Sequence, residues 1–253
     1  MKGYRDNKKK RIVLFLVEGR SEINALSDSL ADLYDDGNTT VIFARLFDKG
    51  EECGGDITAK YGVDSSNIER MLNKLFITPA IQKNKIRSTD VKEIIQIIDM
   101  DGAYIDNDLI VESLIGGGHY LYNETELQVS NKEMAIERNE RKRDNIDWLV
   151  GTTQIRLDEG NEVNYSIYFF SSNLDHYLYG EANLSANEKI KRATEFSNAC
   201  FDDEEKFIDE ICNRPSDLRT KSYKKSWSFI KKDNNSLKSY SNLSILVKRL
   251  LNY

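Results

Sequence analysis

Residues 11–26 read RIVLFLVEGRSEINAL, and residues 93–106 read EIIQIIDMDGAYID. In the first, an apolar run from Ile12 to Val17 stops at Glu18-Gly19. In the second, Ile94 to Ile98 runs into Asp99-Met100-Asp101-Gly102. Neither run alternates apolar with polar residues, so each predicts a strand buried on both faces, as in a parallel sheet. A carboxylate at the carboxyl end of such a strand falls in the crevice where open α/β sheets bind ligands. Asp99 and Asp101 are two residues apart, so extended chain directs both to one face. Carboxylates placed so repel one another unless a cation lies between them, and three oxygen donors suit Mg²⁺ or Mn²⁺. Glu18 is then a further ligand, or a general acid/base. The chemistry expected from the residues is metal-dependent phosphoryl transfer, with nucleic acid as the substrate.

Working outward, Glu22 to Tyr34 predicts an amphipathic helix with Ser21 as its cap, and Thr39 to Phe47 a second strand. Asp48 to Asp56 reads as a loop that Gly54-Gly55 frees to bend. Ser65 to Phe76 reads as a helix before the strand at Ile94–Ile98. Strand, helix, strand, helix, strand favours an α/β fold with right-handed crossovers. Further on, Gly116 to Gly118 marks a loop and Asn131 to Leu149 a highly charged helix expected to face solvent. Thr152–Leu157 and Val163–Phe170 read as strands. Helices are expected over Asn187–Cys200, Asp203–Cys212 and Leu243–Leu251. The organisation expected is an α/β domain over 1–185, with an insertion around 103–150, and a helical, basic extension over 186–253.

No apolar run approaches the roughly 20 residues of a membrane span. Only about six apolar residues follow the basic start MKGYRDNKKKR, too few for a signal peptide. Cys53, Cys200 and Cys212 are scattered, which suits a reducing cytoplasm and not a disulfide framework. The net charge of −6 argues against a general nucleic-acid binder, but the charge is uneven. Ten Lys/Arg stand against two Asp from Asn213 to Tyr253, and six against one in the first eleven residues. Basic ends around an acidic centre suit a metal-dependent nuclease; solvated surface is the plainer explanation of such runs.

LVEGRSE followed by IIDMDG resembles the Toprim fold of primases, topoisomerases and nucleases. In that family a Glu ends the first strand and an Asp-x-Asp the third, with Mg²⁺ between them; Glu18, Asp99 and Asp101 match those positions. The resemblance covers roughly residues 10–115, with a later strand near 165–172 expected in the same sheet. The chain looks more like the compact Toprim nucleases of bacterial phage defence, the overcoming-lysogenization-defect, RloB-like and abortive-infection groups. The resemblance implies cleavage of DNA or RNA and an ATPase partner, with self-association a further expectation. No Gly-x-x-x-x-Gly-Lys-[Ser/Thr] loop occurs here, so ATP hydrolysis of that kind is not expected of the chain itself.

Glu22, Asp56, Asp175 and His176 are additional candidates for the site. Asp56 and Thr58 follow the second strand in GGDIT, where a loop Asp capping its own turn is the ordinary alternative. Ser172, Asn173, Asp175 and His176 follow FF in a polar cluster that RloB-like proteins resemble loosely; helix capping explains the same residues. His119 stands beside the glycine run and is expected to be incidental. Arg20 and the lysines Lys221, Lys224 and Lys225, interleaved with Tyr223, Trp227 and Tyr240, are expected to meet phosphate and stack bases. A helix packed by its aromatics explains that pattern equally well. Two other classes stay open. Asp99-Met100-Asp101-Gly102 also resembles the opening motif of haloacid-dehalogenase phosphatases, although Ala103 stands where Thr is usual and Glu18 would have no role. A non-catalytic interaction subunit would use the same α/β core only to present its basic ends.

Overall fold

Strand β1 (Arg11–Leu16) buries every residue after Arg11. Ile12, Leu14 and Leu16 enter one apolar cluster; Val13 and Phe15 enter another on the opposite face. Period-two alternation of side chains means that an unbroken apolar strand must be covered on both sides. The same holds for β5 (Val91–Asp99), where Ile94 and Ile98 face one cluster and Ile95 and Ile97 the other. The structure, a computed structural model, describes residues 11–114 and 120–251. The basic residues from Lys2 to Lys10, the run Gly116–Gly118 and His119 lie outside those residues.

The main sheet has the order β2-β1-β5-β10-β9. Strands β2 (Thr39–Ala44), β1, β5 and β10 (Glu162–Phe170) run parallel, and the short edge strand β9 (Gln154–Arg156) is antiparallel to β10. From β1 the chain moves outward to β2, then crosses back to pair β5 on the other side of β1. The strand order therefore reverses between β1 and β5, the position at which doubly wound sheets open a crevice at their carboxyl ends. Leu16 pairs with both Ala44 and Gln96, and Asp99 with Phe170, so β1 and β2 end together and β5 and β10 end together three residues further on.

Helix α1 (Arg20–Leu33) covers one face, with α6 (Ala186–Cys200), α7 (Glu204–Cys212) and α9 (Leu243–Leu251). The other face is covered by α2 (Ile68–Leu72), a π turn (Asn73–Ile77) and α3 (Thr78–Asn84), which continue one another. The helix runs past the expected end at Phe76. Pro79, which cannot donate, falls in the first turn of α3, where the π turn has already interrupted the ordinary hydrogen-bond ladder. The second strand stops at Ala44, before the expected Phe47. A hairpin of β3 (Phe47–Asp48) and β4 (Glu51–Glu52) follows instead, turning at Lys49 and Gly50, both at positive φ.

Strands β6 (Ile110–Glu112), β7 (Leu121–Tyr122) and β8 (Leu127–Val129) form a small sheet in the order β6-β8-β7. It packs on its own cluster with Ile105, Ala135 and Leu237. The region expected as an insertion also holds α4 (Lys132–Gly151), whose Ile146 and Leu149 lie in the core of the main sheet as the crossover between β5 and β10. That helix corrects the expectation of a solvent-facing element. Ala135, Asn139, Lys142, Asn145, Ile146 and Leu149 are all buried, a stripe at helical spacing in which polar residues take core positions.

Among the described residues, no boundary of packing separates those from 186 onward from the rest. Ala193, Phe196 and Phe207 share a cluster with β1 and β5; α8 (Tyr223–Ile230) inserts Trp227 into the other cluster. The Ser171 N–H donates to the Tyr240 carbonyl at 2.7 Å, and the Phe169 N–H to Asn242 Oδ1 at 2.9 Å. The extension thus extends the β10 edge of the fold past its last strand residue. No helix among the described residues is long and apolar enough to cross a membrane.

Candidate metal centre

Glu18 leaves β1 just before α1. The chain turns through Gly19 in extended geometry, φ −139°, and Arg20 begins the helix; Ser21 is inside the first turn and does not cap it. Glu18 is held from two directions. Its Oε1 accepts the Asp99 N–H at 3.1 Å, and its backbone carbonyl accepts the Gly55 N–H at 2.9 Å. A Cβ on Gly54 would press on that same carbonyl at 3.3 Å, so the glycine lets the hairpin loop lie against β1. The loop then delivers Asp56, whose Oδ1 accepts from the Thr58 N–H at 2.7 Å and the Thr58 hydroxyl at 2.5 Å. Asp56 therefore caps its own turn and also faces the crevice.

Asp99 and Asp101 do not share a face. Extended chain ends at Asp99; Asp101 adopts φ +51° and Gly102 φ +70°. The turn holds because the Asp101 N–H donates to the Ser172 carbonyl at 3.1 Å, and Asx residues tolerate this backbone region better than most. Asp99 Oδ1 instead accepts the Leu174 N–H at 3.2 Å, at the start of α5 (Leu174–Tyr179). Among the described residues, Glu18, Asp56 and Asp101 are the group whose carboxylate oxygens all lie within 4.8 Å of one another. Asp56 thus takes the place expected of Asp99 in the tight trio, while Asp99 borders it through its hydrogen bond to Glu18.

Two cations from α4 enter the same space. Lys142 is fully buried; its Nζ lies 2.8 Å from Asp56 Oδ2 and 2.9 Å from Asp101 Oδ2. Arg138 places Nη2 2.9 Å from the same Asp101 oxygen and Nη1 3.2 Å from the Asp101 carbonyl, and lies over the Tyr120 ring. Asn145, one turn further, donates to the carbonyls of Thr58 and Val63 and so fixes the Asp56 loop. In the sequence alone these residues look like solvated charge. Their spacing was the available signal: 138, 142 and 145 fall on the stripe of Ala135, Ile146 and Leu149.

The electrostatics follow the packing. Burial, then Asp56, holds the Glu18 carboxyl well above the usual range. Burial and then Glu22 do the same for Asp99. Burial also pushes Asp101 upward, but Lys142 and Arg138 outweigh it and leave Asp101 below its ordinary value. Lys142 is driven upward by Asp101 and Asp56 despite its burial. The crevice thus holds a firmly ionised Asp101–Lys142 pair beside two carboxyls that keep their protons to higher pH.

No known protein family, curated protein or solved structure matches this chain.

The remaining candidates divide. Glu22 is buried beside the turn that carries Glu18; its Oε2 accepts from the Ser21 hydroxyl at 3.2 Å, and burial raises its carboxyl. Asp175 is buried, 3.2 Å from Lys189 Nζ, with its own carboxyl raised by burial. Asn173 caps α5 by accepting the His176 N–H at 2.9 Å. His176 looks elsewhere: its Nε2 lies 3.9 Å from Glu124 in a depression shared with Tyr122 and Asn183, and burial pulls its pKa down. A cavity of about 310 Å³, lined by Gly54, Gly55, Asp56, Lys60, Asp101 and Arg138, opens Asp56 and Asp101 to the surface.

The expected nucleic-acid patch needs one correction. Trp227 is 2 % exposed and meets the Phe169 ring edge-on at 4.8 Å, so it is a core residue that cannot stack a base. Lys224 and Lys225 are exposed on the outer side of the same helix, and Arg20 is exposed at the start of α1. Lys221 lies over the Phe229 ring at 4.8 Å.

Proposed function

We propose that this chain is a divalent-metal-dependent nuclease of Toprim-like fold, acting in bacterial phage defence. One observation supports this above the others: Glu18, Asp56 and Asp101 bring carboxylate oxygens within 4.8 Å of one another where the strand order reverses. The donors are all oxygen, the set that Mg²⁺ and Mn²⁺ prefer. The raised Glu18 carboxyl is a second sign of fit, because crowded acids whose charges are not fully offset are relieved by a cation. Glu18, Asp56 and Asp101 would hold the ion, with Asp99 beside them. A bound ion would supply polarisation of a phosphoryl oxygen and a more acidic water.

The chain's own groups complete the chemistry. Arg138 presents a fixed guanidinium to the cavity and orients a phosphate there. Glu18 would be ionised while it holds the ion; only where it is not a ligand could its proton, kept to higher pH than a free carboxyl's, pass to a leaving oxygen. Arg20, Lys224 and Lys225 offer exposed charge to a nucleic-acid backbone. The ATPase partner, self-association and a cytoplasmic setting belong to the same proposal.

The test is incubation of the purified protein with plasmid, single-stranded DNA and tRNA, with and without Mg²⁺ or Mn²⁺. Cleavage that needs metal and disappears in Glu18→Ala supports the proposal; no cleavage under any condition, with its natural partner present, overturns it. A non-catalytic interaction subunit is the second reading, favoured by Lys142 and Arg138, which already offset the charge of Asp101. On that reading Glu18→Ala and Asp99→Ala leave partner binding unchanged. A dehalogenase-type phosphatase would need Asp99 as an ionised nucleophile, whereas burial and Glu22 push that carboxyl upward.

A further inference from the structure

We infer that the Lys142 ammonium is a built-in competitor for the divalent cation: it fills the space between Asp56 and Asp101 that the ion would take, and so sets how much metal the site requires. The inference rests on the metal-dependent reading of the Glu18–Asp56–Asp101 trio.

Lys142 lies on the buried stripe of α4 between Asn139 and Ile146, a position where an apolar side chain would ordinarily pack. It has no exposed surface, and its Nζ reaches two of the three carboxylates, at 2.8 and 2.9 Å. A buried ammonium is retained only where it is paired, and here its partners are two of the proposed metal ligands. A divalent ion held by the Asp101 carboxylate would meet Lys142 beside Oδ2. The ammonium 2.9 Å from that atom then repels it across a poorly screened distance.

The two cations of α4 differ in how firmly they are held. Arg138 is anchored by Asp101 Oδ2, the Asp101 carbonyl, Asn139 Oδ1 at 2.9 Å and the Tyr120 ring. Lys142 carries a compact charge on a flexible four-carbon stem, and its close partners are the two carboxylates. Of the two, Lys142 is the one that can withdraw. Without metal it keeps the acids from repelling one another; with metal it must give up its place or weaken the binding. The site is thereby stable when empty of metal and undemanding of it only when Lys142 is drawn away.

The experiment titrates Mn²⁺ into wild type, Lys142→Met and Lys142→Gln, reading free Mn²⁺ by electron paramagnetic resonance, with Asp101→Asn reporting whether the bound ion uses this site. Thermal unfolding of each protein is followed with and without Mn²⁺. The expected result is affinity about tenfold or more tighter in the Lys142 variants, lost in Asp101→Asn, with a lower metal-free Tm that Mn²⁺ restores. Variants that are unfolded without Mn²⁺ and folded with it show the same thing more strongly. Wild type that binds Mn²⁺ while both variants bind it equally or more weakly, or stay unfolded with and without it, overturns the inference and leaves the nuclease reading standing. Failure of every folded protein to bind Mn²⁺ overturns both.

Discussion

The N–H of Asp99 donates to Glu18 Oε1 at 3.1 Å, so the acid that closes β1 is fastened to the last residue of β5. The bond crosses the place where the sheet reverses its strand order. It orients Glu18 by one oxygen. Replacing Glu18 by Gln keeps an acceptor at Oε1 and removes the charge. The linkage sign follows from the raised carboxyl. The folded chain binds the proton more tightly than the unfolded chain, so this group's contribution is fully present below the unfolded value of about 4.3 and is lost as pH rises through the folded value. Urea denaturation of wild type across that window should show stability falling with pH from this group, and Glu18→Gln should flatten the fall. The same variant should lose metal-dependent cleavage by at least about 100-fold. An unchanged pH profile in Glu18→Gln would place the titrating group elsewhere.

Asp101 works in the opposite sense. Its carboxyl is lowered, so the stability it contributes is present above the unfolded value and is lost as pH falls through the folded one. Asp101→Asn keeps a side chain that tolerates φ +51° but leaves Lys142 and Arg138 short of one charge. Removing one partner of a buried pair costs about 3–5 kcal/mol. The double variant Asp101→Asn/Lys142→Met should recover part of that loss, because the uncompensated ammonium is gone. A double-mutant cycle in urea measures the coupling; additivity would mean that the pair is not energetically linked.

Lys224 and Lys225 share α8 with Trp227 but face the other way. Lys224→Ala and Lys225→Ala should change stability by less than about 0.5 kcal/mol. Together they should make the slope of log affinity against log salt shallower by about 1.4 to 1.8, if each lysine meets one phosphate of single- or double-stranded nucleic acid. Trp227→Ala should do the reverse: a loss of about 3–5 kcal/mol, with the salt slope unchanged in whatever remains folded. Fluorescence anisotropy with a labelled oligonucleotide at several salt concentrations separates the two. A salt slope that does not move in the double lysine variant removes α8 from the interface.

The parts of the fold that the residues announce are those where one local rule decides. The apolar runs at Ile12–Val17 and, but for Gln96, at Ile94–Ile98 read as strands covered on both faces, which sets the acids that end them at the sheet's carboxyl edge. The crevice was legible for that reason. Three things were not. The left-handed turn at Asp101 is a non-glycine exception, so the two-residue spacing from Asp99 suggested a shared face that the backbone does not provide. Lys142 looks like solvent-facing charge in a helix rich in Glu and Arg, and only the partners at Asp56 and Asp101, distant in sequence, make its burial tolerable. Trp227 sat among lysines that suggested nucleic acid, yet Tyr223, Trp227 and Ile230 recur at the spacing of a packed helix face.

Gly19 separates the role of Glu22 from that of Glu18. Its φ of −139° and ψ of −175° are open to any residue, so alanine there meets no backbone strain. A Cβ would, however, lie 2.9 Å from Glu22 Oε2, closer than such atoms approach. The Glu22 carboxylate is the end of a flexible side chain and can shift, so Gly19→Ala should cost no more than about 1 kcal/mol in stability. It should nevertheless displace the Glu22 carboxylate, whose charge pushes the Asp99 carboxyl upward. If Glu22 takes part in holding metal or substrate, Gly19→Ala and Glu22→Gln should each slow metal-dependent cleavage, and the double variant should be no slower than Glu22→Gln alone. Multiplying effects in the double variant would show that Gly19 acts through Glu18 or the start of α1, and not through the carboxylate it touches.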